Sequence, residues 1–221
     1  FAKGVNLGES ISGKENNIIL LNNDTDEYPE NWIDIVLKEL YSLDNTGIVG
    51  CKQYAYTEEN GIVKKTIKQY GAFTLPDVLQ GYPYNAGEED IGQCNKPRQT
   101  EHINFAFAAI KRTLINKLIE QDGHFLDPAF NSYSEDQDCC IRARLLGYKV
   151  YVTPKIEILH HTNVSTRENK VSQQDIHKKS IEIYKGKWAK HYEDKYEVEI
   201  GFQSLCAFPT GYATAGRNII R

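Results

Sequence analysis

The chain has 221 residues, 40% of them hydrophobic and 25% charged, with a formal net charge of −4. That length holds one sizeable core, or one domain and part of another. Nothing in that negative balance points to electrostatic capture of nucleic acid or of an anionic membrane.

No apolar run reaches the length of a membrane span, and no signal peptide opens the chain. The five cysteines (Cys51, Cys94, Cys139, Cys140, Cys206) are odd in number and lack CxxC spacing. This pattern predicts a reduced, cytoplasmic protein with neither a disulfide framework nor a zinc site. The chain begins at Phe1, contains no methionine and stops on "GRNIIR", within what reads as a helix. The expectation is a fragment cut at both ends.

In chain order, "NIILL" (17–21) reads as a short buried strand. Pro29 marks a helix start, and Trp32, Ile33, Val36, Leu37 and Leu40 fall on one helical face. "GIVGC" (47–51) reads as a second buried strand, and the alternation around Asn60-Gly61 predicts a hairpin. Residues 72–100, with prolines, glycines and "GEED", read as a long irregular loop. "HINFAFAAI" (102–110) returns to strand, and "KRTLINKLIEQ" reads as a helix ending at Gly123. A helix from "SEDQD" stops at Gly147 and runs into a strand. "KIEILHH" reads as a further strand, and a last helix covers about 172–190. Alternating strands and helices predict an α/β layer fold.

In open α/β sheets, ligands bind at the carboxyl ends of strands. Three polar clusters fall at such ends or at the start of the adjoining helix. They are "NNDTD" (Asn22, Asn23, Asp24, Asp26), "SEDQD" (Ser134, Glu135, Asp136, Asp138) and "HHTNVST" (His160, His161, Ser165, Thr166). Acids and histidine at converging strand ends suit a divalent cation that holds phosphate oxygens. Each cluster also has a plainer reading. Asn and Asp form turns by bonding their own backbone. Ser134 with Gln137 makes a capping box, and Asp138 is placed to pair with Arg142 one turn on. A histidine pair at a strand end also reads as satisfied surface residues. An EF-hand reading of "DTDEYPEN" fails on Pro29 and on the missing central glycine.

The order and spacing of these clusters carry a resemblance. Residues 1–32, "FAKGVNLGESISGKENNIILLNNDTDEYPENW", resemble the middle of family 2 glycosyltransferases of the rhamnosyltransferase-like branch. The stretch from "HINFAFAAI" to "HHTNVST", with its Glu-Asp-x-Asp helix, is similar to that family's signature third, and "YKGKWAKHY" to its closing Lys-Trp pair. The likeness runs in order over residues 1 to about 192. It implies a GT-A type, Rossmann-like mixed sheet flanked by helices and lacking its first strands. Residues 1–192 would then be the C-terminal two-thirds of such a domain. Residues 193–221, with Thr210-Gly211-Tyr212, would be a linker and the start of a second, GT-B-like transferase domain of family 4.

The resemblance also implies roles. Asn22-Asn23-Asp24 stands at the family's Asp-x-Asp position, so Asp24 would hold a divalent cation, magnesium or manganese, that bridges the donor diphosphate. Asn22 replaces the first acid of that motif, which puts strict metal dependence in question. Asp136, with Glu135 beside it, stands at the catalytic-base position. His160, in preference to His161, stands at the metal- or phosphate-contacting histidine. Arg142 would lock the helix that presents the base, with Asp138 in support. The implied partners are a nucleotide-sugar donor and a glycan or lipid-linked acceptor, the latter at the inner membrane surface. The implied reaction is inverting sugar transfer. Two readings compete with it: a degenerate transferase or glycan-binding module without activity, and a metal-dependent phosphoryl enzyme. The second normally needs a GxGxxG or GKS/T grip, and neither occurs here.

Overall fold

A computed structural model describes residues 1–59, 61–76, 78–161 and 170–195. In chain order these form α1 (Ala2–Ile11), β1 (Ile18–Leu21), β2 (Thr25–Asp26), α2 (Trp32–Ser42), β3 (Thr46–Glu59), β4 (Ile62–Gln69) and β5 (Ala72–Leu75). There follow β6 (Gln80–Pro83), β7 (Arg98–Thr100), β8 (Phe107–Ile110), α3 (Arg112–Asp122), α4 (Glu135–Leu145), β9 (Lys149–His160) and α5 (Lys170–Lys195). The chain divides into two compact units, Phe1–Lys187 and Trp188–Arg221. The tail motif Thr210-Gly211-Tyr212, Cys206, Ser165 and Thr166 lie outside the described residues.

The centre of the first unit is a seven-stranded mixed sheet in the order β1-β8-β3-β9-β2, with β4 added to β3 and β7 to β9. β8 runs antiparallel to both β1 and β3, and β3 runs parallel to β9. β1, β3 and β9 therefore point the same way, and residues 22–24 and His160 emerge at one edge. Side-chain alternation builds a core on each face. Ile48, Ala108, Ile110, Val150 and Val152 meet Leu114, Leu118, Cys139 and Ala143 of α3 and α4. On the opposite face Val49, Cys51, Phe107, Ala109, Ile156 and Ile158 meet Val36 and Leu40 of α2. This is the mixed sheet flanked by helices that the sequence predicts. Among the described residues no helix is long and apolar enough to cross a membrane.

Several expectations need correction, the first being that the strand read over 102–110 covers only Phe107–Ile110. The "loop" 72–100 contains the two-stranded sheet β5-β6, and its end pairs with β9 as β7. Pro76 and Pro83, read as loop signals, instead sit after one strand and at the end of the other. "YKVYV" and "KIEILHH" are one strand, β9. Cys51 pairs with Thr153 but Lys52 with Glu157, which leaves residues 154–156 as a bulge. Pro154 lies in that bulge, where no ladder donor is required. α2 starts at Trp32 rather than Pro29, and Ile33 is 50% exposed while Glu39 takes a buried place on the inner face. Finally, Ser134 does not form a capping box. It has a left-handed φ of 66° and makes no side-chain cap bond. α1, which no element reading anticipated because of Gly4 and Gly8, docks through Glu9 Oε1 to Arg112 Nη1 at 2.7 Å.

α4 is held by a buried ion cluster. Arg142 Nε donates to Asp138 Oδ2 at 2.8 Å, and Arg142 Nη2 donates to the Phe125 carbonyl at 2.8 Å. Lys187 Nζ lies 2.7 Å from Asp138 Oδ1 and 2.7 Å from Asp127 Oδ2. Breaking a buried pair by removing one partner strands the other charge. Arg142→Leu is therefore expected to lower unfolding free energy by about 3 kcal/mol in urea titration. The double variant Arg142→Leu/Asp138→Leu should regain much of that loss. Equal stability of the wild type and Arg142→Leu would show that the cluster does not hold α4.

Candidate functional site

The five residues before β8, His102 to Ala106, join the three sequence clusters. The Asn22 N–H donates to the Ala106 carbonyl at 2.9 Å, which fixes the chain as it leaves β1. Gln53 Nε2 donates to Asn104 Oδ1 at 2.6 Å, and Gln53 Oε1 lies 2.9 Å from His160 Nδ1. The Phe105 backbone faces the Asp136 carboxyl at the start of α4 and works against the rise that burial gives its pKa. Asn22-Asp24, His160 and Asp136 are thus gathered around one segment although they are far apart in sequence.

The first part of the site is the pair Asp24 and His160. The Asp24 carbonyl accepts from the His161 N–H at 2.9 Å as β2 joins β9. His160 Nε2 lies 3.5 Å from Asp24 Oδ1, longer than a normal hydrogen bond. Asp24 Oδ1 is buried and has no hydrogen-bond partner. Leaving a buried carboxylate oxygen unpaired is costly, and one oxygen and one imidazole nitrogen facing each other form a donor set for a divalent cation. Among the described residues no group of three or more His, Cys, Asp or Glu side chains converges. At this point the described residues offer two candidate ligands, which suits a cation that takes its other ligands from phosphate and water. Burial lowers the His160 pKa, and the Asp24 charge opposes that shift without cancelling it. Asn23 is exposed, and His161 Nε2 stands 4.0 Å from Asp26 Oδ2.

A cleft of 290 Å³ adjoins this pair, lined by Ala55, Tyr56, Lys68, Leu159, His160 and His161. Lys68 was not singled out from sequence. Tyr54 pairs with Ile67 but Gln53 with Gln69, so Lys68 is the extra residue of a β-bulge in β4. Bulges re-aim side chains beside active sites. Burial lowers the Lys68 pKa, while the nearby Asp24 charge pulls it up.

The second part of the site is the start of α4. Tyr133 and Ser134 both have positive φ, 71° and 66°. Each such non-glycine conformation costs on the order of 1–3 kcal/mol and persists where the surroundings enforce it. They turn the chain so that Glu135 and Asp136 open the helix. Asp136 Oδ1 accepts the Gln137 N–H at 2.8 Å, and Glu135 Oε2 is buried without a partner. Burial raises the pKa of both carboxyls, and the Asp136 charge raises Glu135 further. Like charges this close titrate as a pair. The β5-β6 hairpin lies against this helix start: a Cβ on Gly81 would come within 2.1 Å of Gln137 Nε2 and 2.7 Å of His102 Cε1.

Raised carboxyl pKa values stabilise the fold fully below the unfolded-state value and lose that contribution as pH rises through the folded-state value. For Glu135 that window runs from 4.5 to about 7. Glu135→Gln should therefore melt several degrees above the wild type at pH 8, with the gain vanishing toward pH 4.5. A gain independent of pH would show that Glu135 is not held protonated by its site.

No family model and no curated protein matches the chain. Among solved structures, the chain is similar to one described as "Crystal structure of GalNAc-T7 with UDP, GalNAc and Mn2+". The similarity has a TM-score of 0.48 and 14% sequence identity, and covers 92% of this chain. The chain spans 45% of the length of that structure.

Proposed function

We propose that this chain carries the donor-diphosphate edge and the catalytic base of an inverting glycosyltransferase, of family 2 and of its rhamnosyltransferase-like branch. The observation that carries the proposal is the convergence on residues 102–106 of Asp24 with His160 and of Asp136. One pair is suited to a cation, and the other residue is a poised carboxyl.

In this reading Asp24 and His160 hold a magnesium or manganese ion, which offsets charge on the departing nucleoside diphosphate. Lys68 and His161, on the wall of the cleft, contact diphosphate oxygens. Asn22 shapes the turn through its bond to Ala106, and Asn23 lies at its exposed side. Asp136 accepts the proton of the acceptor hydroxyl as that oxygen attacks the anomeric carbon. The bond from that carbon to the diphosphate oxygen then breaks on the opposite face. A positioned base contributes roughly 10²–10⁴-fold. A carboxyl with a raised pKa is a stronger base once ionised, which suits that step. Glu135 beside it keeps the pair's proton available near neutral pH. Asp138 and Arg142 hold the helix. The β5-β6 hairpin, packed on Gln137, forms part of the acceptor side, where a glycan or lipid-linked acceptor docks. Residues 193–221 begin a second transferase domain, and the protein works in the cytoplasm at the inner membrane surface in polysaccharide synthesis.

The test is thermal stabilisation of the chain by UDP, dTDP and GDP, each with and without manganese. A nucleotide at roughly a hundred times its Kd adds about 2.7 kcal/mol. One nucleotide is expected to raise Tm by several degrees only with manganese. That shift should be lost in Asp24→Ala, reduced in Lys68→Ala and kept in Asp136→Asn. A metal-independent shift, or one that survives in Asp24→Ala, would remove the diphosphate from these residues. Metal-dependent binding without sugar transfer in the presence of acceptor would favour the degenerate, glycan-binding reading.

A further inference from the structure

The unexplained part of the site is the amide network behind His160. The Ala106 N–H lies 3.3 Å from the Asn104 side chain, and a donor N–H must face that amide's oxygen, Oδ1. The same Oδ1 accepts from Gln53 Nε2 at 2.6 Å, while Asn104 Nδ2 donates to Gln53 Oε1 at 3.1 Å. The two amides are locked in one mutual orientation, and the Asn104 N–H is tied back to Gln69 Oε1 at 3.3 Å. Gln53 is 1% exposed, so solvent has no part in this choice. Gln53 therefore presents an oxygen, and only an oxygen, to His160 Nδ1 at 2.9 Å. An oxygen can only accept, so the proton of the imidazole sits on Nδ1. The lone pair of Nε2 is left directed toward Asp24 Oδ1, itself a buried acceptor without a partner.

We infer that Gln53 and Asn104 are positioning residues that lock His160 in its Nδ1–H tautomer, so that Nε2 and Asp24 together face a divalent cation. This rests on the metal reading proposed above and extends it to residues that touch neither metal nor donor. A histidine that only paired with Asp24 would do the opposite and place its proton on Nε2. Two acceptors facing each other at 3.5 Å across a buried gap are repulsive unless a cation lies between them. Partners that fix a ligand's orientation through its far ring nitrogen typically contribute about 10–100-fold in metal affinity.

The test reads the tautomer directly, by ¹⁵N–¹H long-range correlation on the metal-free chain at pH 7.5, with the His160 signals assigned by their loss in His160→Gln. Manganese affinity is measured in parallel by electron paramagnetic resonance. The wild type is expected to show a protonated Nδ1 and a bare Nε2. In Gln53→Leu the proton should move to Nε2, facing Asp24, and manganese should bind about 10–100-fold more weakly. Gln53→Glu keeps an acceptor at Nδ1 and should restore both the tautomer and most of the affinity. Where Gln53→Leu does not fold, Asn104→Asp removes the Nδ2 donor at nearly constant size and should loosen the same lock. An Nε2–H tautomer or an imidazolium in the wild type would overturn the inference. So would unchanged manganese affinity in Gln53→Leu once its tautomer has switched. A wild type that shows the stated tautomer but binds no manganese would instead sink the metal reading, and with it the purpose assigned to the lock.

Discussion

The site depends on how the backbone approaches β8. His102 bridges Ala72 of β5, and from Ile103 to Ala106 the chain is not yet paired as a strand, so its polar groups turn to several neighbours. Ala106 bonds Asn22 just after β1, Asn104 bonds Gln53 of β3, and the Phe105 backbone faces the start of α4. A buried segment outside the ladder must find partners for its N–H and C=O groups. Here the partners lie in or beside the candidate site. That obligation brings Asp24, His160 and Asp136 into one neighbourhood although they come from an edge strand, a central strand and a helix on one face of the sheet.

Three irregularities then aim side chains into that neighbourhood. The bulge at residues 154–156 inserts an odd number of residues into β9, which exchanges the faces of everything after it. Val150 and Val152 pack with α3 and α4, whereas Ile156 and Ile158 pack with α2. His160 follows the second parity and so shares a face with Gln53. Without the insertion it would point into the other core. Thr153 and Lys155 anchor the bulge to Glu39 of α2, at 3.0 and 2.6 Å. A smaller bulge in β4 turns out Lys68, and consecutive left-handed residues at Tyr133 and Ser134 turn out Glu135 and Asp136. The regular elements form the core, and departures from regularity build the site.

This division explains what could be read from sequence. Long periodic or well-punctuated segments were legible: the hairpin around Gly61, α3 with Gly123 in left-handed conformation at its end, and α4 running into β9. The acids and histidines proposed for the site were also conspicuous in the sequence, because Asp, Glu and His stand there in short clusters. Elements with mixed signals were not. β5 and β6 are short strands broken by prolines, and α1 carries two glycines and is held by the Glu9–Arg112 pair rather than by helix propensity. β9 read as two strands because the bulge that holds Pro154 depends on pairing with β3, which no local pattern displays. Gln53, Asn104 and Lys68 were invisible for the same reason. Amides and lysines are common, and only the register of β3 against β4 and β9 makes Gln53 and Lys68 face the site, where the approach to β8 brings Asn104 against Gln53.

The central claim is that Asp24 and His160 together hold a divalent cation that also meets a nucleoside diphosphate. The most direct measurement is pulsed electron–nuclear double resonance on manganese bound to the ¹⁵N-histidine-labelled chain in the presence of UDP. The account predicts one strongly coupled histidine nitrogen, absent in His160→Gln, together with ³¹P couplings from the diphosphate that are lost in Asp24→Asn. Manganese that shows phosphorus couplings but no histidine nitrogen, with the same affinity in Asp24→Asn, would contradict it.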